Sequence, residues 1–86
     1  MSITFDPVKD ALNIEKHGIS LARAEDLDIL SYALDDRTDY GEVRVRAWGM
    51  IDGAYYCLVY TLRDATIRAI SLRRAHRKEI ERHVDI

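Results

Sequence analysis

Cysteine, proline and glycine are scarce in this 86-residue chain, which holds one Cys, one Pro and four Gly. A lone Cys57 excludes an internal disulfide and a cysteine-rich metal site, and it fits a reducing, cytoplasmic setting. With 48% hydrophobic and 33% charged residues, the shortage of Pro and Gly also excludes a low-complexity or disordered chain. No apolar run approaches the length of a membrane span, and Met1 to Asp6 has neither the basic start nor the apolar stretch of a secretory signal. No His or Cys cluster has metal-ligand spacing, no Gly-rich loop resembles a phosphate cradle, and no Ser sits in a nucleophile elbow. Neither a metal nor another cofactor is therefore expected. Excess positive charge is missing too: the net charge is −2 and the pI about 5.9, which argues against an independent nucleic-acid-binding module. The length suits one domain spanning residues 1–86.

What is present is a strong division of charge. Residues 1–42 hold four basic side chains against ten acidic ones, whereas residues 63–83 hold seven basic against three acidic. The basic end suits an anion such as phosphate, and the acidic part suits a cationic protein surface.

The local patterns predict an α+β chain with two N-terminal helices, an antiparallel meander of three main strands and a C-terminal helix. Asp6 as cap and Pro7 in the first turn should start helix one, and Gly18 should end it. Val8, Ala11 and Leu12 cluster on one side of that helix, with Lys9, Asn13 and Lys16 on a polar stripe and His17 in the last turn. Ser20 is a plausible cap for a second helix through Leu21, Ala24 and Leu27 to about Leu30, although Arg23 stands where a capping-box carboxylate belongs. A short extended piece should follow at Tyr32 to Leu34, then an acidic loop. From Glu42 the period becomes two, with Arg44, Arg46 and Trp48 on one face and Val43, Val45 and Ala47 on the other. Asp52-Gly53 signals a hairpin, and the run 54–61 should be a central strand. A tight connection at Arg63-Asp64-Ala65 leads to a third strand, 66–71. The residues from about Arg73 to Val84 favour helix, with Ala75, Ile80 and Val84 as a thin apolar stripe that docks weakly or is covered by something else.

Arginines near the ends of the last strands, namely Arg44, Arg63, Arg68, Arg73 and Arg74, are the candidate chemistry. A guanidinium makes forked, charge-assisted contacts to phosphate and can stabilise the charge of a phosphorane. If the scissile group is an RNA phosphodiester, the adjacent 2′-hydroxyl is the nucleophile, and the protein need supply only a base, an acid and positive charge. His17 is of the right type for proton transfer, with Lys9 or Lys16 assisting. Plainer roles compete: a histidine before Gly18 also suits a helix C-terminus, and Arg68 could be a strand arginine paired with Glu42. Cys57 reads as an inert core thiol, and Trp48, Tyr56 and Tyr60 as core aromatics or base-stacking platforms.

Three segments together resemble the BrnT family. These are Phe5-Asp6-Pro7-x-Lys9 with Asn13 and Lys16-His17-Gly18-Ile19-Ser20; Glu42-x-Arg44 with Gly49; and Tyr60-Thr61-x-Arg63, Ile67-Arg68-x-Ile70-Ser71-x-Arg73-Arg74-Ala75 with Glu79. Leu21, Arg23 and His83 depart from the family pattern. The resemblance implies a RelE-like toxin fold and metal-independent RNA cleavage that arrests translation and growth. It implies neutralisation by a BrnA-like antitoxin in a complex of two toxins and two antitoxins, with operator DNA contacted only through the antitoxin. By the resemblance Arg63, Arg68, Arg73 and Arg74, with His17 and Lys16, are the functional set; taken together with the residue chemistry, His17, Arg63, Arg68 and Arg73 would be catalytic, and Lys9, Lys16, Arg44, Arg74 and Arg77 would bind RNA. The rival expectation is a catalytically weak homologue that binds antitoxin and acts as a co-repressor without cutting RNA.

Overall fold

The computed structural model describes residues 3–85. In chain order the elements are β1 (Ile3–Thr4), α1 (Pro7–His17), a 3-10 helix (Leu21–Asp26), β2 (Asp28–Leu34), β3 (Arg44–Ile51), β4 (Ala54–Arg63), β5 (Thr66–Arg74) and α2 (Arg77–His83). The strands form one mixed sheet in the order β1-β5-β4-β3-β2, in which β1 runs parallel to β5 and the other pairs are antiparallel. The meander of β3, β4 and β5 is as the sequence predicts, and β4 is central.

Helix α1 begins and ends as its caps dictate. The Asp6 carboxylate accepts from the Val8 N–H at 2.9 Å, Pro7 opens the first turn, and Gly18 adopts φ 71° while its N–H returns to the Ile14 carbonyl. The helix turns a different side to the sheet from the one its apolar residues suggest: Val8 and Leu12 are exposed and Asn13 is buried. The Asn13 side chain takes the place of a missing strand neighbour. It accepts from the Leu72 N–H at 3.0 Å and donates to the Leu72 carbonyl at 2.8 Å and to that of Ile19 at 2.9 Å. The outer edge of β5 is thereby closed by a side-chain amide, which satisfies a peptide unit that would otherwise be orphaned in the interior.

The expected second helix is only a 3-10 turn of six residues. Ser20 caps it through the Ala22 N–H, while Asp10 of α1 accepts from the Ser20 hydroxyl and the Leu21 N–H. Leu21 and Ala24 enter the core, but from Asp28 the chain pairs with β3, so sheet formation overrides the helical period that included Leu27 and Leu30. With β2 added beside β3 and the two-residue β1 added in parallel beside β5, the sheet has five strands among the described residues rather than three, and it is mixed rather than wholly antiparallel. The C-terminal helix also starts later than the sequence predicts: β4 is long enough to give Arg73 and Arg74 partners at Cys57 and Tyr56, and the ladder continues while partners exist.

Each face of the sheet has its own apolar cluster. On one face Ala47, Ile51, Leu58, Ala69 and Leu72 pack beneath Leu21 and Ala24, with Phe5, Tyr56 and Tyr60 around them. On the other, Ile80 of α2 and Val84 just beyond it sit on Trp48 and Cys57. The thin stripe of α2 thus docks on the indole, and His83 stacks on Trp48 at a 3.8 Å centroid distance and 6° between planes. Among the described residues no helix is long and apolar enough to cross a membrane.

Candidate active site

A β-bulge decides which side chains meet. On β5, Ser71 opposes Val59 and Ala69 opposes Tyr60, so Ile70 is an extra residue and the side-chain alternation is reset there. Arg68 and Arg73 lie an odd number of positions apart and would point to opposite faces of an unbroken strand. With the bulge, Arg68 stands opposite Thr61 and Arg73 opposite Cys57, both on the face that β3 lines with Arg44, Arg46 and Trp48. One cross-strand row reads Arg44, Thr61, Arg68; the next Arg46, Val59, Ser71; and the third Trp48, Cys57, Arg73. Strand spacing sets the backbones of Arg44 and Arg68 roughly 10 Å apart, within reach of one anionic group held between two long side chains.

These arginines are in different electrostatic states. Arg73 is engaged: its Nη1 and Nη2 donate to the two Glu79 oxygens at 3.0 and 2.7 Å. Burial alone would raise the Glu79 carboxyl, but the bonds and charge of Arg73 outweigh it and hold the group below its ordinary value. Arg44, Arg46 and Arg68 form no ion pair among the described residues; the Glu42 carboxylate considered for Arg68 lies instead 3.6 Å from Arg63. Arg44 stacks on Tyr40 at 4.0 Å and Arg46 lies 5.2 Å over the Trp48 ring. The Nε atoms of Arg44 and Arg46 are buried without a hydrogen-bond partner, as is Trp48 Nε1, which is near enough to Glu79 to favour its charge without reaching bonding geometry. Two cations with idle buried donors on one face are poised for an anion. Arg37, forked onto Asp35 at 2.7 and 2.8 Å, adds positive potential near Arg73.

Lys9, Lys16 and His17 gather elsewhere. With Leu12, Asn13, Ile70 and Ser71 they line a groove of about 240 Å3 between α1 and the β5 edge. Ser71 belongs both to this groove and to the arginine face, so His17 borders the site rather than standing in it. Arg63 sits at the turn end of β4, beside Glu42. Arg74 points to the opposite face, 5.6 Å over Tyr56, and Arg77 is exposed on α2, bonded to Glu81 at 2.9 Å. These two are set apart from the remaining candidates. Arg46 and Arg37 were missed in the sequence-predicted set; the alternation that groups Arg46 with Arg44 and Trp48 could have supplied the first, whereas nothing local points to the second.

Cys57 is not a nucleophile here: burial pushes its thiol up to about 11. His83 is held below its ordinary value, first by burial and then by Arg46 and Arg82. Among the described residues no three His, Cys, Asp or Glu side chains converge as a metal site requires.

A family model described as the ribonuclease toxin BrnT of type II toxin–antitoxin systems matches residues 5–79, a span covering α1, the whole meander and the start of α2. No curated protein matches the chain. With so much of its length accounted for, the chain belongs to the BrnT family of ribonuclease toxins of type II toxin–antitoxin systems.

Proposed function

We propose that this toxin cuts RNA on the open arginine face, without a metal ion, and acts in the cytoplasm as a single RelE-like domain spanning residues 1–86. The observation that carries this is the β5 bulge, which gathers Arg68 with Arg44 and Arg46 as three guanidinium groups that form no ion pair among the described residues. Arg68 and Arg44 grip the scissile phosphate from either side of Thr61. The RNA 2′-hydroxyl attacks that phosphorus as its proton passes to a base, and the P–O5′ bond breaks as the leaving oxygen takes a proton. The products are a 2′,3′-cyclic phosphate and a free 5′-hydroxyl. His17 is the residue type for one of these transfers, reaching in from the α1 groove, and Lys9 and Lys16 hold flanking phosphates. Arg73, already held by Glu79, is a positioning residue that fixes α2 against the sheet. Arg63 steers RNA from the rim, and Arg74 and Arg77 belong to a more distant RNA path along α2. Neutralisation comes from a BrnA-like antitoxin in a two-to-two complex, through which operator DNA is contacted.

The test is Arg68→Lys, assayed for RNA cleavage and thermal stability on one preparation. Charge survives but the fork does not, so cleavage should fall roughly 100- to 1000-fold with little change in Tm. Full activity in the stable variant would remove Arg68 from the site. Cleavage by the parent should survive EDTA; its loss would overturn the metal-independent mechanism. A parent that neither cuts RNA nor arrests growth would leave only the co-repressor role.

A further inference from the structure

The longer unpaired edge of the sheet is apolar, carries no side-chain cation of its own and is flanked by carboxylates. We propose that the outer edge of β2 is where the antitoxin docks, by adding an extended segment that is apolar at alternate positions and flanked by Lys or Arg. This rests on the family-level reading that a type II antitoxin exists.

Among the described residues β2 ends the strand order, and its outer side has no strand neighbour. The other edge is closed in two ways, by the two-residue β1 and by the Asn13 side chain on Leu72. The Asp35 N–H donates to the Arg44 carbonyl at 2.8 Å, which makes Asp35 and Ala33 inward-bonding positions by alternation. The peptide groups of Tyr32 and Leu34 accordingly face outward. Exposed strand edges in natural proteins are blunted by Lys, Pro or bulges. Ser31 to Leu34 contains none of these; the one irregularity of β2 lies before it, between Ile29 and Ser31. Tyr32 is 72% exposed and Leu34 66%, and beside them the exposed Val43 and Leu62 flank a cavity of about 480 Å3. So much contiguous apolar surface on a chain this small marks an interface.

Charge selects the occupant. Glu25 and Asp28 stand at one end of the strand and Asp36 and Asp39 beyond the other, and none of the four is in an ion pair among the described residues; the cations at these ends are already engaged, Arg23 by Asp26 and Asp52 and Arg37 by Asp35, so each end keeps a surplus of carboxylates. A second copy pairing antiparallel would bring Asp28 against Asp36 and Asp39, and a parallel copy would set each acid beside itself. Both arrangements repel, whereas a basic segment gains at both ends. The antitoxin segment thus completes the sheet on the side of Arg44 and leaves the His17 groove to be covered separately.

The probe is the purified protein encoded by the gene adjoining this one. Amide exchange is followed at Tyr32 and Leu34, whose N–H groups are unbonded in the free chain and should become protected on binding. Two variants separate backbone from side chain: Leu34→Pro removes an outward donor without breaking a bond to β3, and Leu34→Lys sets a cation against the basic flanks. Each should raise the Kd at least ~10-fold and prevent neutralisation, while RNA cleavage in the absence of the partner stays at the parent level. Unprotected amides, unchanged affinity or no binding at all would overturn the assignment. So would a dimer of this chain alone that Leu34→Pro dissolves, since a second copy would then own the edge. If the parent fails to cut RNA, the ribonuclease mechanism falls instead, and protection at β2 still decides the docking surface.

Discussion

Asn13 offers the sharpest stability test because one side chain does the work of a missing strand. It is 5% exposed and makes three hydrogen bonds, two of them to the peptide groups of Leu72. Asn13→Ala removes all three and strands the N–H and carbonyl of Leu72 at a covered edge. At about 1 kcal/mol per bond, with a further penalty for buried orphans, the loss should be roughly 3–4 kcal/mol. A chain of this length has roughly 4–13 kcal/mol in total, so a quarter or more of its stability hangs on this amide. Urea unfolding at constant m-value measures the change directly, and a loss below about 1 kcal/mol would refute the edge-closing role. Asn13→Asp adds a sign. The carboxylate can still accept from the Leu72 N–H but faces two carbonyl oxygens, so its folded-state pKa must rise above the unfolded value near 3.9. A group raised on folding contributes most below its unfolded pKa and loses that contribution as pH rises through the folded one. The variant should therefore approach the parent in stability at acid pH and fall away toward neutrality. A difference that stays flat with pH would contradict this geometry.

Two further outcomes follow from other parts of the sheet. The Asp35 carboxyl is lowered to about 2, chiefly by its bonds to Arg37 with help from Tyr40, so its contribution is complete above its ordinary value of 3.8 and disappears as pH falls through about 2. Asp35→Asn should flatten that limb of an acid-unfolding curve, and an unchanged limb would dismiss the pair. At Gly49 an added methyl would overlap the Asp28 carbonyl of β2, so Gly49→Ala should cost about 1–3 kcal/mol in urea unfolding, and a neutral result would mean that β2 shifts freely.

The features legible in the sequence are those fixed by local backbone chemistry. Asp6, Pro7 and Gly18 bound α1, and Asp52-Gly53 turns the β3–β4 hairpin with both residues at positive φ. The period-two run through Arg44, Arg46 and Trp48 is a strand with the faces as read. Where the sequence misleads, a distant partner has outvoted a local preference. Leu21, Ala24 and Leu27 have helical spacing, yet Asp28 to Leu34 finds β3 and becomes a strand. Val8 and Leu12 look like the buried side of α1, yet the free edge of β5 needs hydrogen bonds more than apolar cover, and Asn13 is what faces it. The ion pairs divide in the same way. Arg77 with Glu81 follows helical spacing, whereas Arg73 with Glu79 requires a strand to end and a helix to fold back over it.

The candidate site shows the limit most clearly. Its residue types follow once the family resemblance implies an RNA phosphodiester, because a chain without metal-ligand clusters or phosphate loops then leaves arginine and histidine to meet it. Their arrangement cannot, because Arg68 and Arg73 have opposite parity and alternation alone would divide them between the two faces. The extra residue Ile70 reverses that division, and no turn residue, proline or glycine marks it in the sequence. The bulge also breaks the ladder beside the His17 groove, where Ile70 and Ser71 form the wall shared with α1. One inserted residue therefore both gathers the arginines and shapes the edge at which the proton-transfer candidate stands. Bulges are retained next to active sites because they re-aim side chains in this way, at the expense of ladder bonds that a purely structural strand would keep.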